Sequence, residues 1–91
     1  MTREVNCMFF KVKDVKPIED YNLIVVFENN TIKKYDIKPL FDKWSVFRDL
    51  KLNSLFNQVT VDCQGYGIKW NDEIDLSCNE LWNNGMEIRT A

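Results

Sequence analysis

The stretch YNLIVVFENNTIKKYDI, Tyr21 to Ile37, places a run of β-branched and aromatic residues on each side of Asn29-Asn30. Asparagine is one of the few non-glycine residues that tolerates the positive φ of a type I′ turn, so the stretch predicts a β-hairpin with a two-residue loop. That loop sets Glu28 opposite Thr31, Phe27 opposite Ile32, Val25 opposite Lys34 and Ile24 opposite Tyr35. Leu23, Val25 and Phe27 then share one face, the predicted core face. Ile24 and Val26 make the other face apolar too, as in a central strand partly covered on both sides, while Lys33 and Lys34 mark its partner as more exposed. The hairpin therefore belongs to a larger antiparallel sheet.

Upstream, MFFKVKDVKPI (Met8 to Ile18) alternates Phe10 and Val12 with Lys11 and Lys13, and Pro17 removes a ladder donor near its end, so a first strand is expected there. Downstream of Ile37 the period changes. In KPLFDKWSVFRDLKLNSLFNQ the residues Leu40, Phe41, Trp44, Phe47, Leu50, Leu55 and Phe56 recur at separations of three and four with longer gaps. Short helical turns fit that spacing better than one long helix. Pro39 suits a first helical position, and Ser45 and Asn53 can each cap a new turn, which predicts a broken helical crossover laid over one face of the sheet. Strand character returns in QVTVDCQGYGIKWNDEIDL. There Val59 and Val61 precede a turn containing Gly65, Ile68 and Trp70 follow it, and Asn71-Asp72 marks another tight turn before Ile74 and Leu76.

In DLSCNELW (Asp75 to Trp82) the spacing Ser77-x-x-Glu80 is that of a capping box, each side chain accepting from the other residue's backbone N–H. Leu76 and Leu81 match the flanking hydrophobic staple, and Gly85 suits a left-handed helix end. The expected fold is α+β: a mainly antiparallel sheet of about five strands, a broken helical crossover and a C-terminal helix, in one domain covering residues 1–91. Arg3 to Asn6 and Glu87 to Ala91 are the expected frayed ends.

Composition narrows the chemistry. With 91 residues, 45% hydrophobic and 13% aromatic, the chain can offset the conformational entropy of folding as one small domain. A net charge of −2 from 12 basic and 14 acidic residues gives no global field for a polyanion or an anionic membrane. The longest apolar run, Leu23 to Phe27, is too short to span a bilayer, and Arg3 and Glu4 stand where a signal peptide needs an apolar core, so a soluble cytoplasmic protein is expected. Cys7, Cys63 and Cys78 are odd in number and widely spaced, which implies reduced thiols rather than a disulfide framework or a CxxC metal site. The chain contains no histidine, and with it go the commonest general base, the commonest metal ligand and any imidazole-dependent triad.

The remaining chemical candidates have simpler structural readings. Asp72, Glu73 and Asp75 could supply a carboxylate pair, but turn and helix-start roles account for them. Cys78 stands in a first helical turn, where a dipole lowers a thiol pKa, yet a free cysteine more often packs as a small hydrophobe. Gly65-Tyr66-Gly67 lacks a complete phosphate-loop pattern and joins two strands. Lys11, Lys13, Lys33 and Lys34 could form a basic sheet face, with Tyr35 or Trp70 stacking a base; the competing reading is a solvated lysine face. Trp44, Phe47 and Trp82 are core or interface aromatics. No catalytic residue, cofactor or metal is expected. The partner-binding candidates are Trp44, Phe47 and Arg48, of types enriched in interface hot spots.

Read together, VKPIEDYNLIVVFENNTIKKYDIKPLF, VFRDL, LFNQVTVD and GIKWNDEIDLSCNELW resemble the bacterial and phage family called domain of unknown function 2442, over about Lys11 to Trp82. The resemblance implies a small α+β protein. Family members are often encoded alone or joined to a helix-turn-helix domain, and many lie beside another small protein, an arrangement that resembles an antitoxin-like or regulatory module. The family carries no established catalytic residues to place on this chain. Its usual Asn-Gly turns read Asn29-Asn30 and Asn71-Asp72 here, its Asp-Pro helix start reads Leu52-Asn53, and no attached helix-turn-helix is expected after Ala91. The expected function is a non-enzymatic protein-binding or regulatory module with a protein partner. Weak nucleic-acid binding through the lysine face, or inhibition of a host enzyme in the phage manner, are the alternatives.

Overall fold

The computed structural model describes residues 10–88. Within them the chain is α+β, with seven strands in two antiparallel sheets and several short helices. The first sheet has the order β1-β2-β3-β7, built from Val12–Ile18, Asn22–Phe27, Ile32–Asp36 and Met86–Glu87. The second has the order β4-β5-β6, built from Thr60–Asp62, Gly67–Asn71 and Ile74–Ser77. Between them runs the expected broken crossover: helix α1 (Lys38–Lys43), a 3₁₀ segment (Ser45–Lys51) and helix α2 (Asn53–Phe56). Helix α3 (Cys78–Asn84) follows β6. The strands divide between two sheets because β1 ends the first sheet and lies against β4 and β5 without joining their ladder. Its edge position also suits Pro17, which has no N–H to donate.

Leu23, Val25 and Phe27 are fully buried while Ile24 and Val26 are half-buried, as the two-faced apolar pattern of β2 requires. Each of the three contributes about 1.5–3 kcal/mol by leaving water. The hairpin register, however, is shifted by one residue. Leu23 faces Tyr35, Ile24 faces Lys34 and Val25 faces Lys33. The loop is Glu28-Asn29-Asn30: Phe27 N–H donates to Thr31 O at 2.9 Å and Asn30 N–H to Phe27 O at 2.8 Å. Among the loop asparagines only Asn30 has a positive φ, 72°, while Asn29 Oδ1 accepts from the Thr31 N–H at 3.0 Å. A turn needing one left-handed residue replaces one needing two, and Asn29 gains a side-chain bond in the exchange. The slip moves every side chain of β3 to the other face. Tyr35 therefore enters the core, and Lys33 turns to the face of Val25.

The last helix begins as expected in one respect. Ser77 Oγ accepts from the Glu80 N–H at 3.1 Å. The reciprocal half of the box is replaced by another set of bonds, since Glu80 Oε2 accepts from Tyr35 Oη at 2.7 Å and Asn84 Nδ2 at 2.9 Å. Gly85 is extended, at φ −78° and ψ 156°, so a left-handed helix end does not explain it. Close approach does: a Cβ there would lie 2.6 Å from Leu81 O and 3.1 Å from Lys33 Cβ. Glu87, expected to fray, pairs with Lys33 in β7, and the Ile88 N–H donates to Ile32 O.

Smaller turns also differ by a residue. The first strand begins at Val12 rather than Met8, which lies outside the described residues, as do Arg3 to Asn6 and Cys7. Asp72-Glu73 forms the β5–β6 turn, with Asn71 Oδ1 accepting from Glu73 N–H and Ile74 N–H. Pro39 is the second residue of α1, whose start is held by Asp36 Oδ1 accepting from the Lys38 N–H. Trp44, not Ser45, occupies the N-cap of the 3₁₀ segment, and no side chain caps it. The side chains of Asn53 and Cys63 lie outside the description.

Candidate functional site

The crossover surface is built by its own hydrogen-bond period. Helix α1 buries Leu40 and Phe41 and ends where the Trp44 N–H donates to Leu40 O at 3.1 Å. Trp44 is extended, at φ −135° and ψ 127°, and redirects the chain into the 3₁₀ segment, where residues three apart eclipse one another. Trp44, Phe47 and Leu50 therefore share a stripe. Phe47 and Leu50 carry it inward, with Phe47 only 5% exposed and edge-on to Trp70 at 6.3 Å between ring centres. Trp44, at the outer end, remains 46% exposed, its ring 5.8 Å from that of Phe47 and 5.0 Å from Lys43 Nζ. The second stripe, Val46-Asp49-Leu52, faces outward, with Val46 40% and Leu52 65% exposed. The third carries Ser45, Arg48 and Lys51, also exposed.

Of the three sequence-derived partner residues, the structure thus places Trp44 on the surface and Phe47 in the core. Arg48 lies beside them, its Nε donating to Phe41 O at 3.1 Å. Val46 and Leu52 were missed by a reading based on separations of three and four; a strict period of three would have separated the buried stripe from the exposed one. The surface has a firm backing. Tyr21 Oη donates to Lys51 O at 2.5 Å, and the Tyr21 ring meets Phe41 and Phe56 edge-on at 5.3 and 5.4 Å. Asp20 and Tyr21 hold this position at positive φ, 62° and 57°, strained for an aromatic residue. Asn22 Nδ2 and Lys38 Nζ both donate to Asp20 O, and the Ile37 N–H donates to Tyr21 O, which together fix the turn.

The lysine face is arranged differently from the expectation. Lys34 points outward opposite Ile24, whereas Lys33 Nζ lies 4.0 Å from the Trp82 ring centre and donates to Trp82 O. Lys11 Nζ sits 4.8 Å from the Tyr66 ring. Neither proposed stacking residue is accessible: Tyr35 and Trp70 are buried, and Trp70 Nε1 donates to Phe56 O at 3.0 Å. Burial, with the neighbouring Glu80 as hydrogen-bond acceptor and negative charge, raises the Tyr35 phenol pKa well above its ordinary value. Trp82 is half-buried, stacked on Phe10 at 4.0 Å and edge-on to Phe27.

The other chemical candidates occupy structural positions. Asp72 and Glu73 are exposed in their turn, and Asp75 is exposed on β6. A shallow cavity of about 220 Å³ above Gly67 is lined by Asp62, Tyr66, Asp75 and Ser77. Cys78 is buried, and its N–H donates to Tyr66 O. Among the described residues no cluster of three or more potential ligands could hold a metal ion, and no helix is long and apolar enough to cross a membrane.

The family model described as "Protein of unknown function (DUF2442)" matches residues 12–87. No curated protein and no solved structure matches the chain.

Proposed function

Since the chain belongs to this family of proteins of unknown function, we propose that it is a non-enzymatic protein-binding module acting in the cytoplasm, the regulatory or antitoxin-like half of a two-protein system. The observation that carries the reading is the exposure of Trp44, Val46 and Leu52 on one short, firmly backed crossover. Large apolar side chains held rigidly at a surface lose little entropy on docking, and tryptophan and arginine are prominent among interface hot spots. Arg48 supplies the charged neighbour. The absence of histidine from the sequence and the turn positions of Asp72 and Glu73 favour recognition over catalysis.

The test is capture from native-cell lysate by the full chain. Trp44→Asp is expected to abolish capture of a defined partner while leaving the circular-dichroism spectrum and melting transition nearly unchanged. Phe47→Asp is expected to unfold the domain. Capture that persists in the folded Trp44→Asp protein would remove the crossover as the docking surface, and turnover of a small molecule in a metabolite screen would favour an enzyme.

A further inference from the structure

We propose that the outward flank of the 3₁₀ segment is a docking strip for an acidic amphipathic helix of a partner protein, Val46 and Leu52 receiving its apolar side chains and Arg48 and Lys51 its carboxylates. This rests on the reading of the crossover as a docking surface and adds the partner's chemistry.

The strip follows from two parallel rows. With a rise of about 2.0 Å per residue, Val46 and Leu52 stand about 12 Å apart along the segment. Two turns of an α-helix cover about 11 Å, so apolar side chains seven or eight residues apart on a partner helix meet both anchors. Arg48 and Lys51 lie on the adjoining row, one turn apart. From Lys43 to Leu52 the chain carries three bases, Lys43, Arg48 and Lys51, against the single acid Asp49, in a protein whose net charge is −2. Local charge therefore opposes the global sign, and it selects a partner face rich in carboxylates. Asp49 sits midway between the apolar anchors, so the partner residue facing it is neutral or basic and the acids fall to the Arg48 side. Phosphate backbones fit less well. They would meet Asp49 and leave Val46 and Leu52 without apolar contacts.

The strip is also pre-formed. Phe47 and Leu50 anchor its inner side in the core, Arg48 Nε is held by Phe41 O, and the Lys51 carbonyl is held by Tyr21. The backbone that presents the strip therefore needs little ordering on binding.

A displayed library of amphipathic helical peptides, randomised for charge on a constant leucine frame, tests the inference. Selection uses the full chain, and counter-selection uses a Val46→Ser, Leu52→Ser double variant whose melting transition is checked first. Enrichment of acidic peptides is expected, with affinity falling as salt rises and about tenfold weaker for the folded Arg48→Glu, Lys51→Glu protein. Lys51→Glu alone preserves the Arg48 bond to Phe41 and is expected to weaken the same peptides by about threefold. Enrichment of neutral or basic peptides, loss of enrichment altogether, or an oligonucleotide binding the strip without need of Val46 and Leu52 would overturn it. If lysate capture still depends on Trp44 in that event, the docking surface stands and only the acidic partner is lost.

Discussion

Ser77 holds the start of α3 through one bond to the Glu80 N–H, while the Glu80 carboxylate is engaged by Tyr35 and Asn84. Ser77→Ala is therefore expected to cost about 0.5–2 kcal/mol, the range for losing an N-cap, read as a lower midpoint in denaturant melts. A midpoint unchanged by the substitution would refute the cap. Tyr35 carries a pH signature. Its folded-state pKa is raised above the unfolded value, so its contribution to stability is complete below about pH 10 and is lost as pH climbs from there toward the folded value. Melting temperature should consequently fall more steeply above pH 10 in the native protein than in Tyr35→Phe, and parallel profiles would contradict the buried phenol. Sequence alone showed Ser77 because a capping spacing is local. It did not show the bond from Tyr35 to Glu80, which depends on a residue 45 positions away.

The crossover is where element-scale forces decide most. Its 3₁₀ segment survives beyond the usual short length because Phe47 and Leu50 bury one eclipsed row and Tyr21 fastens its last carbonyl. Tyr21→Phe keeps the ring against Phe41 and Phe56 and removes only the bond to Lys51 O, so a loss of about 0.5–1.5 kcal/mol is expected. Faster amide exchange at Leu52 and Phe56 is the accompanying sign, and exchange indistinguishable from the native protein would show that the tether is idle. Gly85→Ala tests the other end of the fold. Its methyl group would meet Leu81 O and the Lys33 stem, so destabilisation is expected despite the ordinary backbone angles.

At the scale of the whole molecule, the two sheets share one core. Val12, Val25 and Phe27 of the first sheet belong to the same buried cluster as Ile68, Trp70 and Leu76 of the second, joined by Phe47 and Phe56 from the crossover. Among the described residues the buried apolar side chains of both sheets form one cluster. Unfolding is expected to be a single transition, with tryptophan fluorescence and far-ultraviolet circular dichroism superimposing across the denaturant range. Two separated transitions would mean that the sheets fold independently.

Local period and turn chemistry in the sequence determined the α+β class, the inward face of Leu23, Val25 and Phe27, the breaks in the crossover and the cap at Ser77. Those features depend on neighbours within a few residues, where alternation and spacing leave few choices. The hairpin register, and with it the burial of Tyr35 and the turning of Lys33 toward Trp82, became visible only in the tertiary structure. A one-residue slip exchanges both faces of a strand, so the competition of those faces for a common core acts together with the easier three-residue turn at Glu28-Asn29-Asn30 to select one register. The same competition divided the crossover aromatics, drawing Phe47 under Trp70 and leaving Trp44 at the surface. Hydrophobicity is alike at the two positions. Phe47 meets Trp70 of the second sheet and Trp44 stays at the surface, and no sequence pattern records which position another element will cover.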